Sequence, residues 1–297
     1  MKHLSFLTIV MLFSSCCSAK QAIENTISEN TKSELVVKAT IVESDLQEDV
    51  FSGELINISN EENELILKVV EVELIENQES SSKEAFDHST WDALLKTYVS
   101  EQGNVNYKEL KAERSKITNY ITELSNNIPK DSWSTNDKMA YWINAYNAMT
   151  VDLILRNYPL KSIKDIEKPW EQRLWKLHNK WYNLDEIEHQ ILRKMNDPRI
   201  HFGIVCASVS CPKLQNEAFI ASKLDDQLTH ATRTFLADTN ENSLSENSLK
   251  LSKIFKWFAK DFKQNGTLIE FLNTYTDITI SEQAKKNYKD YNWNLND

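Results

Sequence analysis

The segment MAYWINAYNAM, residues 139–149, is the most informative part of the chain. Its side chains are apolar or aromatic on nearly every side of a helix, which predicts a helix that is buried all round. Ser134 to Asp137 offer capping side chains before it, and Tyr158-Pro159 ends it. The helix is therefore expected over Lys138 to Asn157.

Two asparagines interrupt this apolar helix. Asn144 and Asn147 lie three residues apart, and a buried amide without partners costs about 1 to 3 kcal/mol, so both side chains must be hydrogen-bonded. They either clamp a neighbouring loop, or line a pocket and orient a catalytic histidine. The clamp is favoured for Asn147, whereas both interpretations stay open for Asn144.

Further elements follow from periodicity and from turn residues. The predicted helices are Trp91 to Tyr98, Tyr107 to Ser125, Asp185 to Met195, Ser222 to Ala237, Ile254 to Phe262 and Thr267 to Tyr275. The predicted strands are a hairpin within Leu174 to Leu184, a strand at Ile200 to Cys206, and short strands at Leu249 to Leu251 and Asp277 to Ile280. The fold class is α+β: a helix-rich single globular domain with a small mixed sheet, preceded by a short β-rich segment.

Composition divides the chain near residue 84. All eight tryptophans and all five prolines lie at or after Trp91, so residues 84–297 are expected to form the globular domain. Residues 20–83 are predicted to be an acidic linker with a few short strands, at Leu35 to Val42, Phe51 to Ile58 and Leu65 to Ile75.

The first residues, 1–19, have the pattern of a bacterial signal peptide. Their apolar run from Leu4 to Phe13 is shorter than the roughly 20 residues that a membrane-spanning helix needs. Cys16 stands where a lipobox has its lipid-bearing cysteine, so the protein is expected to be exported and attached to a membrane through Cys16. Cleavage after Ala19 would instead release it into the periplasm.

Charge and glycine content exclude several functions. A net charge of -10 argues against a nucleic-acid partner, because phosphate binding needs clustered Lys and Arg. The four glycines are far apart in the sequence, which excludes phosphate-binding loops built from several glycines. No cofactor is expected. No metal site is expected either, because the cysteine spacing lacks a C-x-x-C signature.

Cys206 and Cys211 are the residues most suited to chemistry. Outside the reducing cytoplasm such a close pair can form a disulfide, or Cys206 can act as a thiolate nucleophile if a base or positive charge lowers its pKa. On a regular strand His201 and Cys206 point to opposite faces, so His189 is the easier partner. Arg193, one helical turn from His189, would tend to keep that imidazole neutral and able to act as a base.

These segments together resemble the family catalogued as domain of unknown function 547. The residues that carry the resemblance are Tyr141 to Ala148, Ile187 to His189 with Ile191 to Arg193, Asp197 to Phe202 with Cys206 to Ser208 and Cys211-Pro212, and Tyr291 to Asn296. The resemblance covers the chain from about residue 85 to its end. It implies a bacterial or plant protein, and fusions to glutaredoxin-like modules in plant members hint at thiol chemistry. A loose similarity to transglutaminase and papain-type hydrolases is weakened because Asn144 stands where their helix carries a cysteine.

The expected function is therefore that of an envelope protein, either a cofactor-free thiol-dependent hydrolase or transferase or a thiol-redox protein. The expected catalytic residues are Asn144, His189, His201 and Cys206, and the expected substrate-binding residues are Asn147, Arg193, Ser208 and Trp175. The alternative is a non-catalytic module that binds a peptide or glycan on a hairpin platform of Trp170, Trp175 and Trp181.

Overall fold

The computed structural model describes residues 84–297. The predicted signal peptide, the lipid-bearing Cys16 and the linker with its three strands lie outside the described residues. The boundary near residue 84 stays a prediction. Within the described part of the chain, no helix is both long and apolar enough to cross a membrane.

The domain is helix-rich α+β, as predicted, with about 48% of its residues in helices and two small sheets. The α-helices are α1 (Ser89–Tyr98), α2 (Tyr107–Ala112), α3 (Arg114–Asn126), α4 (Thr135–Asn157), α5 (Leu184–Glu186), α6 (Ile200–Gly203), α7 (Leu224–Ala237), α8 (Ile254–Trp257) and α9 (Leu268–Tyr275). A π-helical segment, Ile187–Ile191, and a 3-10 segment, Leu192–Met195, continue α5, and further 3-10 turns lie at Ile163–Asp165, Ala221–Lys223 and Asp261–Lys263.

α4 is the central helix. Ser134 and Asp137 form a reciprocal capping box at its start, so the helix begins three residues before the predicted Lys138. All residues from 139 to 155 are buried, which confirms the prediction of a helix buried all round.

The predicted helix over Tyr107 to Ser125 is divided in two. The chain leaves helical geometry at Glu113, where φ is -103° and ψ is 16°. The break lets α2 bury Tyr107 while α3 buries Tyr120, whose ring stacks on Trp91 at 5.8 Å between centroids.

Two small sheets complete the fold. β1 (Trp175–Leu177) and β2 (Lys180–Tyr182) form the predicted antiparallel hairpin. β3 (Ser243–Leu244), β4 (Ser248–Leu251) and β5 (Lys285–Tyr288) form a mixed sheet, with β3 antiparallel and β5 parallel to β4.

Two predicted strands are wrong. Residues Asp277 to Ile280 form no strand, because the Asn273 side chain binds both the N–H and the C=O of Ile280 and leaves neither for a sheet partner. The segment from Ile200 begins as α6 instead of a strand, after Asp197 accepts the N–H of Arg199 and starts a helical turn.

The buried apolar side chains form two clusters. The first surrounds α4 and includes Ile143, Val205 and Leu228. The second joins α7, β4, α8 and α9 around Phe202 and Phe255. α6 and the residues after it lie between the two clusters, and Gly203 makes this possible, because a Cβ there would approach a Leu228 methyl carbon to 3.1 Å.

Candidate functional site

A pocket of about 340 Å³ opens beside the chain that follows α6. It brings together Cys206, Cys211, His189 and His201, four of the residues to which the sequence directed attention. The other residues that line it are Tyr146, Trp170, Glu171, Asp185, Glu188, Ile204, Val205, Pro212, Ile254, Trp257, Phe258, Tyr291 and Trp293. The four chemically reactive side chains therefore face one small space.

The loop from Cys206 to Cys211 turns the two cysteines toward each other. Ala207 has φ of +54°, a left-handed conformation that is strained for a residue with a Cβ and that is common at functional sites. Cys211 N–H donates to Ser208 C=O at 3.0 Å and closes the turn. As a result, Cys206 N–H donates to the Cys211 sulfur at 2.9 Å.

The Cys206 sulfur is surrounded by hydrogen-bonding groups. The hydroxyls of Ser208 and Tyr291 each lie 3.1 Å from it. Hydrogen bonds from the Cys211 thiol and from these two hydroxyls hold the pKa of Cys206 below its usual value, although burial and the Glu188 carboxylate oppose them. Such an environment favours the thiolate, the nucleophilic form of cysteine.

Cys211 has the opposite tendency. Burial raises the pKa of Cys211 well above its usual value, and the neighbouring Cys206 raises it further. Both residues are free thiols in this structure, so the disulfide considered from the sequence is absent from this form. One proton on Cys211 thus stabilises a negative charge on Cys206.

The two histidines are connected through charged side chains. Arg193 donates to His189 Nδ1 at 2.8 Å and binds both carboxylate oxygens of Asp261, at 2.6 and 2.8 Å. Because arginine has no acceptor, Nδ1 of His189 must accept, and the ring proton lies on Nε2. Nε2 in turn lies 3.4 Å from the Asp185 carboxylate.

The sequence predicted that His201 lies on a strand and points to the face opposite Cys206, but His201 lies on a helix. It is in α6, 3% exposed, with its ring stacked on Phe258 at 3.9 Å and its Nε2 2.8 Å from Asp261. Although burial opposes the effect, hydrogen bonds from His201 and Arg193 hold the pKa of Asp261 below its usual range. No hydrogen bond joins either histidine to the Cys206 sulfur among the described residues.

The π-helical segment allows two consecutive residues, Glu188 and His189, to line the same pocket. Neighbours on an α-helix point in directions about 100° apart. π-Helical turns are rare and often mark functional sites. Here the wider turn helps both side chains reach the cavity.

Five expected site residues do not line the pocket: Asn144, Asn147, Trp175, Arg193 and Ser208. Arg193 and Ser208 still contact residues that do, since Arg193 binds His189 and the Ser208 hydroxyl lies 3.1 Å from the Cys206 sulfur. Asn144 binds both the C=O and the N–H of Phe219, and Asn147 binds Gly203 C=O and Val205 N–H, so both are clamps rather than catalytic or substrate-binding groups. Trp175 is buried and donates to Asp152 at 2.8 Å, so it offers no binding surface. The three tryptophans of the predicted platform do not share one surface: Trp170 lines the pocket, Trp175 is buried, and Trp181 is exposed away from the lining.

Sequence reasoning missed four side chains of the site: Glu188, Trp257, Asp261 and Tyr291. Glu188 directly precedes His189, and Tyr291 belongs to the final segment that carried the family resemblance. Trp257 and Asp261 lie about fifty or more residues beyond the cysteines and carry no local pattern. Tertiary packing brings Asp261 to 2.8 Å from His201 Nε2 and places Trp257 in the pocket lining.

A larger cavity of about 660 Å³ is lined in part by Asp261. Its most conspicuous charged group, Arg199, is bound by the carboxylates of Asp197 and Asp225. Among the residues that the structure describes, neither a cysteine nor a histidine lines it. In the part of the chain that the structure describes, no cluster of His, Cys, Asp and Glu suits a metal ion.

Comparison with known proteins agrees with the resemblance read from the sequence. Residues 130–236 match the model of the family described as "Protein of unknown function, DUF547". The matched range includes both cysteines and both histidines of the pocket, but neither Asp261 nor Tyr291. No curated protein and no solved structure matches the chain.

Proposed function

We propose that the protein is an exported thiol–disulfide exchange enzyme, in which Cys206 is the nucleophile and Cys211 the second thiol. The observation that carries this proposal is the pairing of the two thiols: Cys206 N–H lies 2.9 Å from the Cys211 sulfur, and the pKa is lowered at Cys206 and raised at Cys211. When two neighbouring thiols differ in pKa in this way, the one with the lower pKa attacks the substrate and the other resolves the mixed disulfide.

In the first step, the Cys206 thiolate attacks one sulfur of a substrate disulfide. The substrate S–S bond breaks, a mixed disulfide forms at Cys206, and the released sulfur leaves as a thiolate that takes its proton from Cys211. Since Cys206 then has no charge, it no longer raises the pKa of Cys211. Formation of the mixed disulfide therefore makes the second thiol easier to ionise.

In the second step, the Cys211 thiolate attacks the Cys206 sulfur. The mixed disulfide breaks, the Cys206–Cys211 disulfide forms, and the second substrate sulfur leaves and takes a proton from solvent. The two protein thiols are oxidised and one substrate disulfide is reduced to two thiols. The reverse sequence oxidises two substrate thiols, and the protein then returns to the dithiol form described here.

Hydrolysis or acyl transfer at Cys206 is less well supported. Such reactions usually need a base hydrogen-bonded to the thiol, and the groups around the Cys206 sulfur are hydroxyls and a second thiol. His189 has its Nδ1 occupied by Arg193. The proposed location outside the cytoplasm, in the periplasm or attached to a membrane through Cys16, suits disulfide chemistry.

The test is reaction of the full-length chain with 2-hydroxyethyl disulfide, followed by peptide mapping that separates Cys206 and Cys211 from Cys16 and Cys17. The wild-type protein should end with a Cys206–Cys211 disulfide, and Cys211→Ser should stop at a mixed disulfide on Cys206. At about pH 7, Cys206 should react on the order of tenfold faster than a free cysteine.

A matched variant separates the roles of the two thiols. Cys206→Ser should leave Cys211 slow to react, because burial raises the pKa of Cys211. If Cys211 reacts as fast in this variant as Cys206 does in the wild type, or if Cys206 is no faster than the free amino acid, the proposal fails. The latter result would favour a non-catalytic binding module.

A further inference from the structure

The pocket beside Cys206 is acidic. Three carboxylates line it, those of Glu171, Asp185 and Glu188, and no Lys or Arg is among the described residues that line it. Arg193, which contacts His189 of the lining, is bound to Asp261 through two hydrogen bonds. Lys164 lies outside, 4.7 Å from the ring centroid of Trp293. The charge inside the pocket is therefore incompletely balanced by the protein.

Glu188 is the carboxylate that most needs a partner. It is only 7% exposed, and the Tyr146 hydroxyl, 3.1 Å from Oε2, is its hydrogen-bond donor. No salt bridge to Glu188 exists among the described residues. Asp261 and, less strongly, Glu188 raise the pKa of Arg193, but Arg193 is bound to Asp261 and forms no salt bridge with Glu188. A buried carboxylate without a salt bridge is costly, so a ligand that supplies a positive charge in direct contact would be stabilised there.

Aromatic rings form another part of the lining. Trp257, Tyr291 and Trp293 are in mutual contact, with centroid distances of 4.5 to 5.8 Å. Trp257 is 46% exposed although it is a large apolar side chain. The faces of such rings attract cations, and ammonium groups are recognised by clusters of aromatic rings. Lys164 over Trp293 and Arg193 over Phe258 show this contact within the protein itself.

We propose that the pocket binds an ammonium group of the substrate, with Glu188 as its counter-ion and Trp257 and Tyr291 as its aromatic walls. The volume of about 340 Å³ suits a group the size of a lysine side chain or a small amine. Applied to catalysis, this inference rests on the proposed function: the substrate is a disulfide that carries a positive charge close to its sulfur atoms.

A bound cation would also act on the nucleophile. Glu188 raises the pKa of Cys206 in the free protein, and an ammonium group beside Glu188 offsets that effect. A cationic substrate thus makes the thiolate more abundant when it binds. Such coupling favours cationic over neutral disulfides in the reaction rate as well as in affinity.

Binding is tested first, without thiol chemistry, in the full-length Cys206→Ser variant. Titration calorimetry compares choline with 3,3-dimethylbutan-1-ol, its uncharged isostere. Choline should bind at least about tenfold more tightly, which is within the range of a desolvated cation–aromatic contact plus a counter-ion. Glu188→Gln keeps an acceptor for Tyr146 and should abolish the preference, and Trp257→Ala should weaken choline binding severalfold.

Glu186→Gln is the matched control. Glu186 is two residues from Glu188, but it is bound by Arg173 and Lys180 and does not line the pocket, so this variant should keep the preference for choline. Equal binding of the two isosteres, no binding of either, or an unchanged preference in Glu188→Gln would each overturn the inference.

The kinetic experiment distinguishes this inference from the proposed function. Cystamine, a cationic disulfide, should react with Cys206 at least about tenfold faster than 2-hydroxyethyl disulfide, after correction for their rates with a free thiol. If choline binds but no disulfide reacts, the proposed function fails and the cation site stands. If both disulfides react equally fast and choline shows no preference, the cation site fails and disulfide exchange stands.

Discussion

Among single residues, His88 should give stability a pH dependence of its own. The side chain is 4% exposed, its Nδ1 lies 2.6 Å from the Tyr120 hydroxyl, and burial lowers its pKa to about 4. In the unfolded chain, His88 has an ordinary histidine pKa. Between about pH 6.5 and 4, His88 is therefore protonated in the unfolded chain but neutral in the folded protein. The contribution of neutral His88 is fully present above this window and is lost as the pH falls through it.

We expect the wild-type protein to lose about 2 kcal/mol of unfolding free energy through His88 between about pH 7 and 5. Urea unfolding at the two pH values measures the loss, and His88→Asn, which keeps a hydrogen-bonding atom near the position of Nδ1, should reduce it by that amount. His230→Asn changes an exposed histidine and should leave the loss unaltered. Equal pH dependence in the wild type and His88→Asn would contradict this account.

At the scale of elements, the two asparagines of α4 hold different segments. Asn144 binds the backbone of Phe219, whereas Asn147 binds Gly203 and Val205, immediately before Cys206. Replacing either by leucine leaves two buried backbone groups without partners, which should cost about 2 kcal/mol or more of unfolding free energy.

Only Asn147→Leu should also change the chemistry of the site. The segment that leads to Cys206 loses its anchor in that variant, so we expect a changed alkylation rate at Cys206, whereas Asn144→Leu should keep the wild-type rate. Denaturant unfolding and iodoacetamide labelling measure the two effects. Equal labelling rates in both variants would show that Asn147 does not position the nucleophile.

Local patterns predicted the elements that depend on local chemistry. The apolar run with its caps gave α4, and the alternation around His178-Asn179 gave the hairpin. The spacing of His189 and Arg193, four residues apart, predicted that their side chains would be close, and Arg193 donates a hydrogen bond to His189. Each of these features is determined by residues within about one or two helical turns.

The rest of the site depends on contacts that a local pattern does not contain. The apolar run after Ile200 has the composition of a buried strand, yet the packing of Gly203 against Leu228 and the turn at Asp197 make it a helix. Short apolar runs fit a strand or a buried helix equally well. Because Ile200–Gly203 is helical, His201 and Cys206 do not point to opposite faces of a strand.

At the scale of the whole molecule, the pocket lies where the two apolar clusters meet. His201 stacks on Phe258, which packs against the second cluster, while Val205 belongs to the first. Cys206 is positioned from one side by α4 and from the other by Tyr291 of the final segment. The distance between the two thiols therefore depends on how the two apolar clusters are placed relative to each other.

The final segment after β5 joins parts of the domain that are distant in sequence. Asn296 C=O accepts the N–H of Val105, Asn294 C=O accepts that of Val209, and Leu295 N–H donates to Lys161 C=O, each at 2.8 Å. The same segment supplies Tyr291 and Trp293 to the pocket. It therefore fastens the first cluster to the loop that carries the two cysteines.

A chain that ends after Tyr291 should consequently be less stable, although the nucleophile keeps its hydroxyl partner. With the bond from Ser210 N–H to Asn292 C=O, four backbone hydrogen bonds are lost, which should cost about 4 kcal/mol and corresponds to a fall in Tm of about 8 to 16 °C for a domain of this size. A chain that ends after Asn296 loses the exposed contact between Asp297 and the Tyr158 hydroxyl and should melt at the wild-type temperature. Calorimetry of the three chains measures these Tm values. If the chain that ends after Tyr291 has the same Tm as the wild type, the final segment does not stabilise the domain.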